Sequence, residues 1–251
     1  MVSKNKAAFI QSLAIKKFRD QHQCFVAEGS RLINDLHNSF SCRMLVATTE
    51  WANQHLLPAA SEQIITDEKT FQKISGQKQP QGILAVYEMR RISFNPTVAD
   101  TELVMALDNI QDPGNMGTLL RVADWFGIRQ VICSQGTVDV YNPKTVQATM
   151  GALARVDVYY LDLEQFLKLL SNTPVYGTFL DGQSIYETAL SKNGIIIMGN
   201  EGNGITPEIE KLVTSKLLIP SFPKNEATSE SLNVGVAAAV ICSEFRRRIQ
   251  S

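Results

Sequence analysis

Four consecutive apolar residues, Ile195-Ile196-Ile197-Met198, follow Gly194 with nothing polar among them. Successive side chains of a strand point to opposite faces, so a half-buried strand alternates apolar and polar residues. A run that is apolar at every position is therefore a central strand covered on both faces, and sheets covered on both faces are characteristically parallel, with helical crossovers. This one stretch predicts an α/β fold. The rest of the chain agrees. Leu103-Val104-Met105-Ala106-Leu107 is a second apolar run of strand length, and Gln130 to Cys133, Val175 to Phe179 and Leu217 to Ile219 are further strand candidates. Between them, Leu163 to Leu170 and Asn142 to about Met150 read as helices, and Gly151 interrupts before a strand candidate at Arg155 to Val158.

The first hundred residues alternate in the same way. Cys24-Phe25-Val26-Ala27, Met44 to Ala47, Gln63 to Ile65 and Ile83 to Tyr87 are strand candidates, separated by helical segments beginning near Glu28, at Thr49 and at Asp67. This predicts a small α/β sandwich. Ile10, Leu13, Ala14 and Phe18 line one side of a predicted helix from Ala7 to Arg19, with Lys16, Lys17 and Arg19 on the other. That basic face is either solvated or turned toward phosphate. Ser75 to Gly82 is a polar loop suited to contacting a ligand or the other domain. Arg90 to Asp100, with Asn95-Pro96, reads as a linker, which predicts domains at 1–95 and 96–251.

A net charge of -1 and a pI near 6.3 exclude a protein that binds nucleic acid over its whole surface. The charge is unevenly divided, however. Residues 1–95 carry 12 Lys and Arg against 8 Asp and Glu, and the remainder 12 against 17. Such a division assigns an anionic ligand to the first portion. Cys24, Cys42, Cys133 and Cys242 are scattered without a C-x-x-C pair, and His22, His37 and His55 also lack ligand spacing, so reduced thiols and no metal site are expected. No segment approaches the length and hydropathy of a membrane span, and a cytoplasmic location is the simplest expectation.

Three strand ends present polar loops rich in glycine or proline. After Leu107 comes Asp108-Asn109-Ile110-Gln111-Asp112-Pro113-Gly114-Asn115. Met116, Leu119, Leu120, Ala123 and Phe126 then fall at helical spacing, with Asn115 as predicted N-cap and Gly127 as predicted stop. After Met198 comes Gly199-Asn200-Glu201-Gly202-Asn203-Gly204, and Thr206-Pro207-Glu208 opens a helix. Its glycine order is the reverse of the dinucleotide fingerprint, which argues against a nicotinamide site. Glu201 is the only carboxylate inside that turn. After Leu217-Leu218-Ile219 comes a long segment from Pro220 to Asn233, leading into a helix of small residues that ends in Arg246-Arg247-Arg248. If the strands are parallel neighbours, the three loops converge in one crevice.

In this order the loops resemble the three motifs of the SpoU (TrmH-like) RNA ribose methyltransferases of the SPOUT superfamily. Asn109 through Arg121 matches the pattern Asn-x-x-Asp-Pro-x-Asn-x-Gly-x-x-x-Arg, Met198 to Gly204 matches the second motif, and Ile219-Pro220 with Ser231-Leu232-Asn233-Val234 the third. Met150-Gly151-Ala152 also fits. Through Phe25 to Gly29 and Pro80 to Ala85, the first portion resembles that family's small α/β RNA-substrate-binding domain, akin to certain RNA-binding ribosomal proteins.

The resemblance implies a C-terminal α/β knot domain (SPOUT, deep trefoil knot) that binds S-adenosyl-L-methionine in its knotted loop, works as a homodimer, and methylates a ribose 2′-hydroxyl of structured RNA, rRNA or tRNA. Arg121 corresponds to the family's catalytic arginine. A guanidinium is a poor base and a good phosphate clamp. Asn115, Glu201, Ser231 and Asn233 correspond to the other polar positions of the catalytic site. Gly199, Ile219 and Leu232, with Asn200, Gly202 and Pro220, correspond to the cofactor-binding positions. The sequence departs from the family pattern in a longer loop at Ser221 to Ser229, and in Gln147, which stands where an arginine is common. The alternative is a non-catalytic RNA-binding or ribosome-associated protein that retains the fold.

Overall fold

The structure, a computed structural model, describes residues 2–222 and 231–249. The chain divides into two compact units, one of Met1–Ile92 with Asp139–Arg155, the other of Ser93–Val138 with Val156–Ser251. The first unit contains α1 (Lys4–Ser12), α2 (Lys16–His22), β1 (Cys24–Glu28), α3 (Ser30–His37), β2 (Cys42–Thr48), α4 (Thr49–Gln54), β3 (Gln63–Thr66), α5 (Glu68–Ile74) and β4 (Ile83–Glu88). Its sheet runs β1-β4-β2-β3, with β4 antiparallel to both neighbours and β2 parallel to β3. In β1 and β4 every residue except Glu88 is buried, because alternate side chains serve two cores. Val26 and Val86 pack with Ile10, Leu13 and Phe71. On the opposite face Phe25 stacks with Tyr87 and Tyr141, at centroid distances of 5.8 and 4.7 Å.

The predicted helix from Ala7 to Arg19 is two helices. The chain breaks at Leu13 to Ile15, where Ile15 is extended. The carbonyls of Leu13 and Ala14, released from helical bonding, accept from the Arg19 guanidinium at 2.8 and 2.9 Å, and Asp139 accepts from it at 2.6 Å. Arg19 is 1% exposed. It therefore does not belong to the exposed basic face that helical spacing assigned to it; a single periodic stripe does not reveal a turn stabilised by a partner 120 residues away.

The second unit carries β5 (Leu103–Leu107), α6 (Pro113–Trp125) and β6 (Gln130–Cys133). After β6 the chain contributes α7 (Pro143–Ala148) and a 3₁₀ turn at Ala152–Ala154 to the first unit. It then forms β7 (Asp157–Tyr160), α8 (Leu163–Lys168), β8 (Val175–Ser184), β9 (Gly194–Met198), α9 (Pro207–Glu210), β10 (Ser215–Leu218) and α10 (Val234–Ile249). The sheet order is β10-β8-β9-β5-β6-β7, and every pairing is parallel. The run at Ile195 to Met198 is β9, buried at every residue and paired on both sides, as its composition requires. Beside it Leu103 to Leu107 pair in register with Gly194 to Met198. The order of strands reverses between β5 and β9, which makes the C-terminal ends of these two strands a topological switch point, where α/β sheets bind ligands. The extended loop expected at Ser221 to Ser229 falls mostly on residues 223–230, outside the described residues.

Candidate active site

Asp112, not Asn115, caps α6. Its side chain accepts the backbone N–H of Asn115 at 2.8 Å, and Pro113 occupies the first helical turn, where its missing N–H costs nothing. The shift of three residues has a consequence for the site, because Asn115 now lies inside the first turn and its carboxamide is free of capping. Asn115 Nδ2 donates to Glu201 Oε1 at 2.5 Å, and Asn115 Oδ1 accepts from Asn233 Nδ2 at 2.9 Å. Asn233 in turn caps α10, accepting from the N–H of Gly235 at 3.0 Å. One carboxamide thus joins the loops after β5, β9 and β10, which meet as expected from three parallel strand ends.

Asn200 is committed within its own loop. Its side chain accepts the N–H groups of Gly202 and Asn203, at 2.9 and 3.1 Å, and donates to the carbonyl of Asn109 at 2.8 Å. The backbones of Asn200 and Gly204 exchange two hydrogen bonds of 2.9 Å, which closes the loop on itself. Gly199 lies under that closure, and a Cβ there would stand 2.4 Å from the carbonyl carbon of Gly204. Gly204 has φ +69°, a left-handed conformation that favours glycine, and a Cβ there would meet nothing within 4 Å, so the backbone of this turn is open on its outer side.

Ile219 and Pro220 are partly buried beyond the end of β10, while Leu232 is half-exposed just before α10. Ser231 is exposed at the edge of the described residues. Arg121 is exposed on α6 and has no ion pair among the described residues. Six residues along a helix place it well round the axis from Asn115, and it does not join the Glu201–Asn115–Asn233 chain.

Ile219, Pro220 and Leu232 offer apolar surface, and the glycine turn, its own N–H groups at 202 to 204 already bonded to Asn200, is sterically open on its outer side at Gly204, which leaves room for an adenosine. These residues fit S-adenosylmethionine. Among the described residues no group of His, Cys, Asp and Glu could hold a metal ion. The four cysteines are free and buried. Burial pushes the Cys42 thiol up to about 11 and Cys242 to about 12, and raises Cys133 further still, so these thiols are poor nucleophiles.

Several residues of the site were not singled out by sequence reasoning. Asp108 is 2% exposed, and its carboxylate accepts from Thr206 and Asn109. Ser134, after β6, accepts the N–H of Asn109 at 2.9 Å, and Asn109 has φ +55°. The available signal was a carboxylate set directly against an all-apolar strand, where a purely solvent-facing turn would begin later.

Known proteins match this geometry over nearly the whole chain. The SpoU rRNA Methylase family model matches residues 102–243, and the MRM3-like substrate binding domain model residues 4–85. The 23S rRNA (guanosine(2553)-2′-O)-methyltransferase RlmP of Bacillus subtilis (strain 168) is 29% identical over 240 residues, covering 94% of each chain. A TrmH-family structure from Porphyromonas gingivalis superposes with a TM-score of 0.88 at 42% identity, covering 99% of each chain. An AdoMet-bound rRNA methyltransferase from Sinorhizobium meliloti superposes with a TM-score of 0.83 at 27% identity, covering 100% of this chain and 98% of that one. An all-parallel sheet with three loops tied through one asparagine thus lies within a region that the family model matches over more than half of the chain, and the chain belongs to the SpoU rRNA methylase family.

Proposed function

We propose that the protein transfers a methyl group from S-adenosylmethionine to a ribose 2′-hydroxyl of ribosomal RNA. The observation that carries this reading is the hydrogen-bonded chain Glu201–Asn115–Asn233, which draws on all three motif loops. When bound, the cofactor supplies an electrophilic methyl on a sulfonium. The residues of the chain bind, orient and manage charge around it. Backbone groups at Gly199, Gly202, Ile219, Pro220 and Leu232 hold the adenosine, and Asn200 keeps the glycine turn in shape for it. Asn115 is held from both sides and cannot rotate freely, so it fixes the carboxylate of Glu201, whose second oxygen remains to accept the ribose hydroxyl. Ser231 and Asn233 border the same space. Arg121 clamps the neighbouring phosphate through paired guanidinium donors. Most of the rate then comes from holding hydroxyl and methyl in line.

In the same reading, RNA is held by residues 1–95 and methyl transfer is carried out by residues 96–251. The extents of the two family models, 4–85 and 102–243, support this division, as does the excess of Lys and Arg in the first portion. The enzyme works as a homodimer in the cytoplasm. Trp125 is 85% exposed on α6, and Val236 is half-exposed on α10. The two helices run side by side, from Gly235 against Thr118 to Arg246 hydrogen-bonded to the carbonyl of Phe126. A second copy covering that face would bury the indole and bring Arg121, one turn before Trp125, to the interface. No helix among the described residues is long and apolar enough to cross a membrane.

Calorimetric titration of the purified protein with S-adenosylmethionine, followed by mapping of 2′-O-methyl sites in ribosomal RNA from cells with and without it, tests the proposal. Binding and one lost methyl site are expected. A folded protein that gives no heat at roughly millimolar cofactor would overturn it.

A further inference from the structure

Asp108 is a buried carboxylate with no cation paired to it among the described residues, and the methyl-transfer reading gives it no task. Taking such a charge out of water is costly unless several donors replace the lost hydration. Three do. Thr206 donates from its backbone N–H and from its hydroxyl, both at 2.8 Å to Oδ2, and Asn109 Nδ2 donates at 3.1 Å to Oδ1. The hydroxyl of Thr206 would ordinarily cap α9, whose N-terminus it precedes, but that helix has no side-chain cap. The hydroxyl is spent on Asp108 instead. The backbone N–H of Asp108 meanwhile donates to the carbonyl of Met198 at 2.9 Å. Met198 is the last residue of β9 and Thr206 the first beyond the glycine turn, so a single residue holds both the entry and the exit of residues 199–205.

We propose that Asp108 is a positioning residue for the cofactor. By fixing both ends of the 199–205 turn, it sets where the sterically open side of the turn at Gly204 faces and the direction in which Glu201 meets Asn115. Two observations beyond the carboxylate itself point this way. The same turn is tied a second time to the loop after β5, through Asn200 Nδ2 and the Asn109 carbonyl. The turn is closed internally by the Asn200–Gly204 pair, so a displacement at its ends moves it as a body. The inference rests on the reading of this turn as the cofactor loop.

The test uses the full-length chain and three substitutions, Asp108→Asn, Thr206→Val and Thr206→Ser, with S-adenosylmethionine affinity measured calorimetrically well below each melting midpoint. Asp108→Asn keeps the shape but turns an amide NH₂ toward groups that are themselves donors, and Thr206→Val removes the hydroxyl alone. Each is expected to weaken cofactor binding about tenfold, the loss of one hydrogen bond to a charged group. Thr206→Ser keeps both donors and is expected to stay within about threefold of the parent. The double substitution Asp108→Asn with Thr206→Val should be no weaker than the worse single one, because both break one interaction. If Asp108→Asn does not fold, the two Thr206 variants carry the same comparison. Folded variants that bind the cofactor as the parent does, whatever their melting midpoints, would reduce Asp108 to a structural role and overturn the inference alone. A parent that binds no cofactor overturns the functional reading and this inference together.

Discussion

Replacing Asn115 by Asp changes one atom of the chain that joins the three loops, and its effect follows from the geometry. Asn115 Nδ2 lies 2.5 Å from Glu201 Oε1. In Asn115→Asp an oxygen takes the place of that donor, and two carboxylates face each other. Unit charges about 4 Å apart repel by about 1 kcal/mol in water and about 4 kcal/mol at an effective dielectric near 20. Glu201 is exposed and Asn115 half-buried, so the lower part of that range applies, about 1–2 kcal/mol. This corresponds to about one pKa unit, and it raises the pKa of one member of the pair. Below the raised pKa the pair shares a proton, an O–H replaces the lost N–H donor, and the chain is restored. Above it the carboxylates separate and Asn233 loses the partner that fixed its amide. Methyl incorporation from labelled S-adenosylmethionine into unmodified ribosomal RNA would be measured from about pH 4.5 to 8.5, a window that spans a carboxyl raised by about one unit, and expressed relative to the parent at each pH. The ratio should be low at the alkaline end and rise as pH falls. A ratio that is flat with pH, or near one at pH 8, would refute the claim that the Asn115–Glu201 bond organises the site.

Arg121→Ala should abolish methyl transfer while leaving cofactor affinity within about threefold and stability within about 0.5 kcal/mol, since the side chain is exposed and unpaired among the described residues; calorimetry, thermal melting and the transfer assay read these separately. Glu244, 5% exposed on α10, is paired with Arg247 and Arg248, and the Arg247 guanidinium, helped by that of Arg248, holds its carboxyl near 2, against an ordinary 4.5. A depressed carboxyl stabilises the fold fully above pH 4.5, and that contribution is lost as pH falls from 4.5 toward 2. Denaturation of Glu244→Gln at neutral pH should show a loss of about 2 kcal/mol and a flatter acid limb than the parent. Arg19→Met in the first unit should cost about 3–5 kcal/mol in chemical denaturation, because it strands Asp139 and two carbonyls, and adding Asp139→Leu should return part of that loss.

Much of the second unit was legible because its two central strands, β5 and β9, are apolar along their length and glycines, prolines and caps fall at their ends. β9 and β5 were visible from Ile195 to Met198 and Leu103 to Leu107, since full burial on both faces leaves only one kind of sequence. The three loops were legible as motifs for the same reason, each beginning where an apolar run stops. What escaped depends on pairs distant in sequence. The break of the first helix at Leu13 is held by Arg19 and Asp139, and no local rule connects residues 120 apart. The true cap of α6, Asp112, was hidden because Asp112, Gly114 and Asn115 are all residues that start helices, and only the hydrogen bond to the Asn115 N–H chooses among them.

Buried charge in this molecule is used to hold loops, and the reacting surface is left mostly to neutral amides. Asp108 and Arg19 are each nearly inaccessible, and each gathers partners from separate segments, while buried Glu244 pairs with Arg247 and Arg248 of its own helix, the second of which bonds the carbonyls of Ile185 and Tyr186. Asn115, Asn233 and Asn200 meanwhile carry the contacts among the three motif loops. The difference is physical. A carboxamide offers a donor and an acceptor in one plane without the desolvation cost of an ion, so it can be fixed where loops meet at the surface. A buried ion costs several kcal/mol when a partner leaves, and it suits parts that should not move. The site then needs little charge of its own. In the proposed reaction Glu201 and Arg121, both exposed, would supply it, since no partner among the described residues has claimed them in full.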